Sequence, residues 1–294
     1  MIRQVIRLLL VGLTIGSGIA VFAAIDSLEP SFRKNRYRLG FARFLNRVLV
    51  LILGIRVELK GYELDDLKPV PGLKGRLIVA NHLTYLDAIV LGALAPVRFI
   101  AKQEVCQWPV IGQLAALAGT IFIDRDSPRQ GLRVASEITT ALKQGVCVVL
   151  FPEGTSSNGE QLLEFKPMLF AGALKAAAPI QPLILKYTEI NGHKLSLRNR
   201  DDCYWYGNME FASHFWKVLG LKEVAVTVEV MEMIDTSIGD SVQEIAATAH
   251  RMIAERYTSE PAEPQTTPDE QDDFLLGALV LALANAESSN LREE

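Results

Sequence analysis

Leu8 to Ile25 is a run of 18 positions without a charge, preceded by Arg3 and Arg7. A helix needs about that many apolar residues to cross the roughly 30 Å hydrocarbon core of a bilayer, so the run predicts a membrane anchor. A secretory signal has the same basic start, and Val21-Phe22-Ala23 resembles a cleavage site. Against that reading, Arg33, Lys34, Arg36, Arg38, Arg43 and Arg47 follow, and exporting them runs against the positive-inside bias. They suit anionic cytoplasmic headgroups better. A second apolar run, Val48 to Ile55, sits just downstream of Phe41, Phe44 and Leu45. It reads either as a helix in the interface or as a core helix, and length alone does not separate the two.

From Arg76 onward, short apolar runs alternate with helical patterns, which predicts an α/β fold with a largely parallel sheet and flanking helices. Arg76 to Ala80 reads as a buried strand followed by a helix from about Tyr85. Further strands are expected at Val97 to Ala101, Thr120 to Asp124, Val146 to Phe151, Ile180 to Lys186 and, half-buried, Val224 to Ile234. A helix capped by Ser127, with Pro128 at its first position, should bury Leu132, Ala135, Ile138 and Leu142 and stop at Gly145. Asp240 can cap a last helix through about Tyr257. The expected organisation is a membrane-embedding helical segment over 1–58, an α/β domain over 59–258 and an acidic tail over 259–294. That tail holds nine acids against the single base Arg292 and a short apolar stretch, Phe274 to Ala286, too short to span a bilayer.

Composition narrows the class. Hydrophobic residues make up 49% of the 294, globular with an apolar surplus that lies mostly in the first helix. Cys106, Cys147 and Cys203 are too scattered for a disulfide framework or a zinc site, consistent with a cytosol-facing domain on the cytoplasmic membrane. The net charge of -4 hides a basic first part and an acidic end, and nothing in it points to nucleic acid. Trp205, Tyr206 and Trp216 suit core packing or an interfacial anchor.

The chemistry concentrates in Asn81-His82-Leu83-Thr84-Tyr85-Leu86-Asp87, at the carboxyl end of a predicted parallel strand, where ligand sites lie on open α/β sheets. His82 and Asp87 are five apart, about 140° on a continuous helix, so they meet only if the chain turns between them. Thr84 as N-cap supplies the turn and puts Asp87 at the third helical position. The pair then reads as a general base and its orienter, although Thr84 with Asp87 also reads as a capping box alone. Gly119 to Arg125 is expected to bring Asp124 and Arg125 to the same sheet edge, where an arginine can grip a phosphate bidentately. Amides around Gly154, Thr155 and Ser156, in the loop Phe151 to Gly159, can form an anion nest beside Glu153. A serine hydrolase using Ser156 or Ser157 competes, but no G-x-S-x-G elbow is present.

In these residues the chain resembles the bacterial 1-acylglycerol-3-phosphate acyltransferases, a lysophosphatidate acyltransferase family. The resemblance runs over about residues 40 to 235, through Asn81-His82 with Asp87, Phe122 to Arg125, Phe151 to Thr155 and Ala178 to Leu185. It implies acyl-CoA or acyl carrier protein as donor, a lysophospholipid as acceptor, and no metal or cofactor. It also implies His82 as general base, Asp87 as its orienter, and Arg125, Glu153 and Gly154 in acceptor binding. Thr155, Lys102 and Lys166 are added here as candidate substrate contacts. The expected reaction gives phosphatidate from 1-acylglycerol-3-phosphate. Acylation of another lyso-lipid, such as a lyso-ornithine lipid, and a non-catalytic membrane-bound interaction protein are the alternatives. Pro179 and Pro182 depart from the family's fourth block and leave acyl-chain preference open.

Overall fold

The computed structural model describes residues 1–28, 31–61, 74–108, 110–124, 128–236 and 241–257. Two long helices, α1 (Ile2–Leu28) and α2 (Ser31–Leu53), precede an eight-stranded sheet with helices on both faces. Of the described helices, α1 is the one long and apolar enough to cross a membrane. Leu9 and Leu13, on its outer side, are 68% and 69% exposed. Its basic end nevertheless holds the domain. Arg3 donates to Gly220 O at 3.0 Å, Gln4 to Trp216 O at 3.2 Å and Arg7 to Lys222 O at 3.2 Å, closing the carboxyl end of α7 (Phe211–Gly220). Gly220 O lies in the last turn of α7, where main-chain carbonyls lack an intrahelical partner, so a basic side chain suits it.

The apolar run Val48 to Ile55 follows the core-helix reading over most of its length but not to its end. It ends α2, passes through Gly54 at φ 70° and opens strand β1 (Ile55–Gly61), so a strand begins within the segment expected to be helical. Leu49, Leu53 and Ile55 enter the core, while Leu51 faces outward at 79% exposure. Three of the arginines assigned to headgroups have protein partners instead. Arg38 pairs with Asp26, and the Nε of Arg43 and of Arg47 donate to Ala93 O at 3.3 and 3.2 Å. The cause is that α2 lies along α3 (Leu86–Leu94) and faces its carboxyl end.

The sheet order is β1-β8-β6-β2-β5-β3-β4, with β7 (His193–Lys194) paired to β6. Strands β6 (Ile180–Ile190), β2 (Leu77–Ala80), β5 (Cys147–Leu150), β3 (Val97–Lys102) and β4 (Ile121–Ile123) run parallel. The strand β8 (Val224–Val230) is antiparallel to β6 and parallel to β1. Every residue of β2 and β5 is buried, as both faces of the sheet are covered. Alternation splits them: Ile78 and Ala80 join the core under α2, α3 and α7, while Leu77 and Val79 join the core under α5 (Pro128–Lys143), α6 (Ala171–Ala176) and α8 (Val242–Ala254). The largely parallel α/β fold is as the sequence predicts.

Local differences have local causes. Strand β8 is almost wholly buried rather than half-buried, because it lies between β1 and β6. Along α5, Ala135, Ile138 and Leu142 are buried but Leu132 is 65% exposed. At 3.6 residues per turn Leu132 falls about 120° from Ile138, off the buried stripe. The last helix is capped by Ser241, whose hydroxyl accepts from Glu244 N in a capping box; Asp240, the expected cap, lies outside the described residues, as do Ser127 and the tail.

Candidate active site

Strand β2 stops at Ala80 because Asn81 takes over its pairing with a side chain. The Asn81 amide accepts from Leu185 N at 2.8 Å and donates to Leu185 O at 3.1 Å, so the turn stays fastened to β6 while the main chain leaves the sheet. The His82 backbone is then held by the loop after β5: its N–H donates to Glu153 Oε1 at 2.7 Å and its carbonyl accepts from Ser157 N at 2.9 Å. The ring stacks on Phe151, centroids 4.1 Å apart and planes 15° from parallel, and keeps 22% of its side chain exposed. Two strands and a loop thus fix one imidazole.

The chain turns between His82 and Asp87 as their spacing requires. His82 Nδ1 lies 2.8 Å from Asp87 Oδ2, leaving Nε2 as the outward nitrogen. Thr84 is not the cap that makes this turn, since its hydroxyl stands 3.5 Å from Leu86 N and Tyr85 is the residue preceding α3. Asp87 does that work itself: the same Oδ2 accepts from Leu83 N at 2.7 Å and Thr84 N at 3.0 Å, satisfying amides at the entrance of the helix. The two readings of Asp87, cap and orienter, are therefore one geometry. Its other oxygen, Oδ1, accepts from the Tyr187 hydroxyl at 2.8 Å.

Glu153 is 4% exposed, with one oxygen on His82 N and the other on Leu163 N at 2.9 Å. Burial raises its carboxyl to about 7 against the pull of the two amides, and the Asp87 charge adds to the rise. Gly154, at φ 78°, directs its amide back to Phe151 O at 3.1 Å; it closes a turn and is not one of the outward donors expected of a nest. Thr155 is exposed. Lys102 ends β3 and Lys166 follows the loop, its backbone N–H on Pro152 O at 2.9 Å, and both side chains are exposed. By strand order Lys102 stands two strands from His82 and Asp124 three, about 10 and 14 Å at the usual strand spacing. Arg125, next in the chain, lies outside the described residues.

Among the described residues the one hydrogen-bond partner of the His82 ring is Asp87. The Ser157 hydroxyl accepts from Gly159 N at 3.3 Å and closes a turn, so it is not placed as a nucleophile on the ring. Beside the site, the Tyr85 hydroxyl and His214 Nδ1 share a hydrogen bond at 3.1 Å within a cluster of Trp205, Phe211 and Phe215, where burial lowers His214 to about 4 and keeps it neutral. Sequence reasoning passed over Phe151 as the ring's platform and Tyr187 altogether. The signal for Tyr187 was its place on the alternating face Leu183, Leu185, Tyr187 of β6, a polar-tipped aromatic at the end of an apolar series.

A family model described as Acyltransferase matches residues 62–186. The lyso-ornithine lipid O-acyltransferase of Rhizobium meliloti (strain 1021) is 35% identical over 222 residues, which cover 73% of this chain and 72% of that protein. The 1-acyl-sn-glycerol-3-phosphate acyltransferase of Neisseria meningitidis serogroup B is 32% identical over 163 residues, covering 55% and 62%. The crystal structure of the 1-acyl-sn-glycerophosphate acyltransferase PlsC from Thermotoga maritima superposes with a TM-score of 0.58 at 19% identity, over 87% of this chain and 96% of the other, and shows a common fold.

Proposed function

This chain belongs to the lyso-lipid acyltransferase family, and from that premise we propose that His82 acts as the general base that moves a fatty acyl group from a thioester donor onto a lyso-lipid hydroxyl. The observation that carries this reading is the His82 ring held by Asp87 through Nδ1 at 2.8 Å while its other side stays open. The acceptor hydroxyl gives its proton to Nε2 as its oxygen attacks the thioester carbonyl. The tetrahedral intermediate then expels the thiolate, which takes the proton from the imidazolium and leaves as the thiol. The buried Asp87 carboxylate stabilises that imidazolium. No metal or cofactor has a part in these steps.

For the acceptor we take a lyso-ornithine lipid ahead of 1-acylglycerol-3-phosphate. The support is that matches to relatives named for the former reach 72% of their length, against 62% for those named for the latter. The phosphate-bearing acceptor remains the second reading, favoured by the Arg125 position beyond β4. In both, Glu153 acts by holding the His82 backbone, and the site works at the cytoplasmic face of a membrane, a reading supported by the apolar helix α1.

The test is acyl transfer from labelled acyl-CoA and, separately, acyl carrier protein to a panel of lyso-lipids, using wild type and His82→Ala. Product from the ornithine acceptor in wild type alone supports the reading, and phosphatidate instead selects the second. Activity within tenfold of wild type in His82→Ala removes the proposed base. If the second reading holds, Arg125→Ala raises the KM for the phosphate acceptor at least tenfold, and an unchanged KM rules the arginine out as its contact.

A further inference from the structure

Asp87 is wholly buried, and a carboxylate in that position must have its oxygens filled by donors to stay ionised. Oδ2 takes three of them: His82 Nδ1, Leu83 N and Thr84 N. Oδ1 takes the Tyr187 hydroxyl at 2.8 Å. Tyr187 reaches it from β6, two residues beyond the main-chain groups that Asn81 ties to the turn. The tyrosine is 4% exposed, with its ring edge-on to Tyr204 at 5.7 Å. Burial, and next the Asp87 charge, push its hydroxyl well above the ordinary range, so it keeps its proton and remains a donor throughout the working pH range.

We propose that Tyr187 is a positioning residue for acyl transfer: by engaging the Asp87 oxygen turned away from His82, it sets how strongly the carboxylate holds the proton on the imidazole. A carboxylate whose second oxygen accepts a strong hydrogen bond carries less charge on the first and is a weaker partner for imidazolium. The hydroxyl therefore keeps His82 from becoming too firmly protonated to act as a base. The inference rests on His82 being the general base.

Other titrating groups face this pair: Glu153 from the loop after β5, Cys203 and Tyr204 from the segment before α7, and Tyr257 from beyond α8. Glu153 titrates near neutrality, so a rate profile alone would mix two groups. The experiment is therefore to titrate the ¹⁵N-labelled imidazole of His82 by NMR in wild type and Tyr187→Phe, assigned with His82→Ala, and to record the pH dependence of kcat/KM in parallel. Phe keeps the ring packing and removes one hydroxyl. The expected result is an upward shift of the His82 titration by about 0.5 unit or more, with the rising limb of the rate profile moving in the same direction. A Tyr187→Phe protein with lower thermal stability but an unmoved His82 titration would make the tyrosine purely structural and overturn the proposal. The NMR readout needs no turnover, so it separates the two failures: a wild type inactive on every acceptor sinks the proposed function and the acyl-transfer role with it, whereas an unmoved His82 titration in an active enzyme overturns the Tyr187 proposal alone.

Discussion

Asp87 carries two duties on one oxygen, and a substitution can separate them. In Asp87→Asn the amide oxygen can still accept from Leu83 N, Thr84 N and the ring, while the NH₂ faces the Tyr187 oxygen, which can accept. The turn should survive and the charge that stabilises imidazolium should not. Activity is expected to fall by roughly 10²-fold or more with little change in melting temperature; a small loss in the Asn variant beside a large one in the Ala variant would mean the turn, not the charge, is what matters. Glu153 makes a pH-dependent contribution of opposite character. Its carboxyl is raised in the folded protein to about 7 from an ordinary 4.5, so the folded state binds the proton more tightly. Its contribution is fully present below about pH 4.5 and is lost as pH rises through 7, about 3 kcal/mol in all. Thermal unfolding from pH 4.5 to 8 should show that decline in wild type, and a Glu153→Gln profile of the same slope would show that the titrating group is another one.

At the scale of elements, close packing decides more than propensity. A Cβ on Gly172 would come 2.6 Å from Cβ of Ile138 and 2.9 Å from Ala135 O, so α6 and α5 touch through a position that tolerates no side chain. Gly172→Ala is expected to cost about 1–3 kcal/mol, read as a lower denaturant midpoint with the reaction chemistry unchanged. The capping box of α8 is a milder case, and Ser241→Ala should cost about 1 kcal/mol. The elements most legible in the sequence were those with a strict period and clear ends: β2, β5 and α5 lie within a residue or two of where periodicity and Pro128 place them. Those that were missed depend on neighbours. β1 starts at the last residue of an apolar run that reads as helix and continues through polar residues, and its pairing with β8 makes it a strand.

For the molecule as a whole, the arrangement couples an apolar helix to the site through packed elements. The start of α1 closes the end of α7, α7 carries His214 and Phe215 against Tyr85, and Tyr85 stands three residues from His82 in the chain. The exposed side of α1 presents Leu9 and Leu13, and placing Lys at both should cost about 2–3 kcal/mol each in hydrocarbon. The double variant is expected to move from the vesicle pellet to the supernatant and to lose turnover on vesicle-borne acceptor, while α7 contacts made by Arg3 and Gln4 hold the domain together. Unchanged co-sedimentation would place the membrane contact elsewhere.

The alternation of apolar runs, the His82–Asp87 spacing at a strand end and the order of the four family blocks are local properties of the chain, and they were enough to determine the fold class and which histidine and aspartate meet. What local pattern cannot contain is which strands become neighbours. Strand order sets the carboxyl ends of the parallel strands in one row, stacks Phe151, just past β5, on the His82 ring and brings Tyr187 from β6, 100 residues away, onto Asp87. It also turns Glu153 and the Gly154 amide inward, because the loop after β5 must hold the His82 backbone before it can offer anything to a substrate. The His82–Asp87 contact was determined by sequence because its partners are five residues apart; the Tyr187 and Phe151 contacts around it were decided by tertiary structure because those residues lie on or just past other strands.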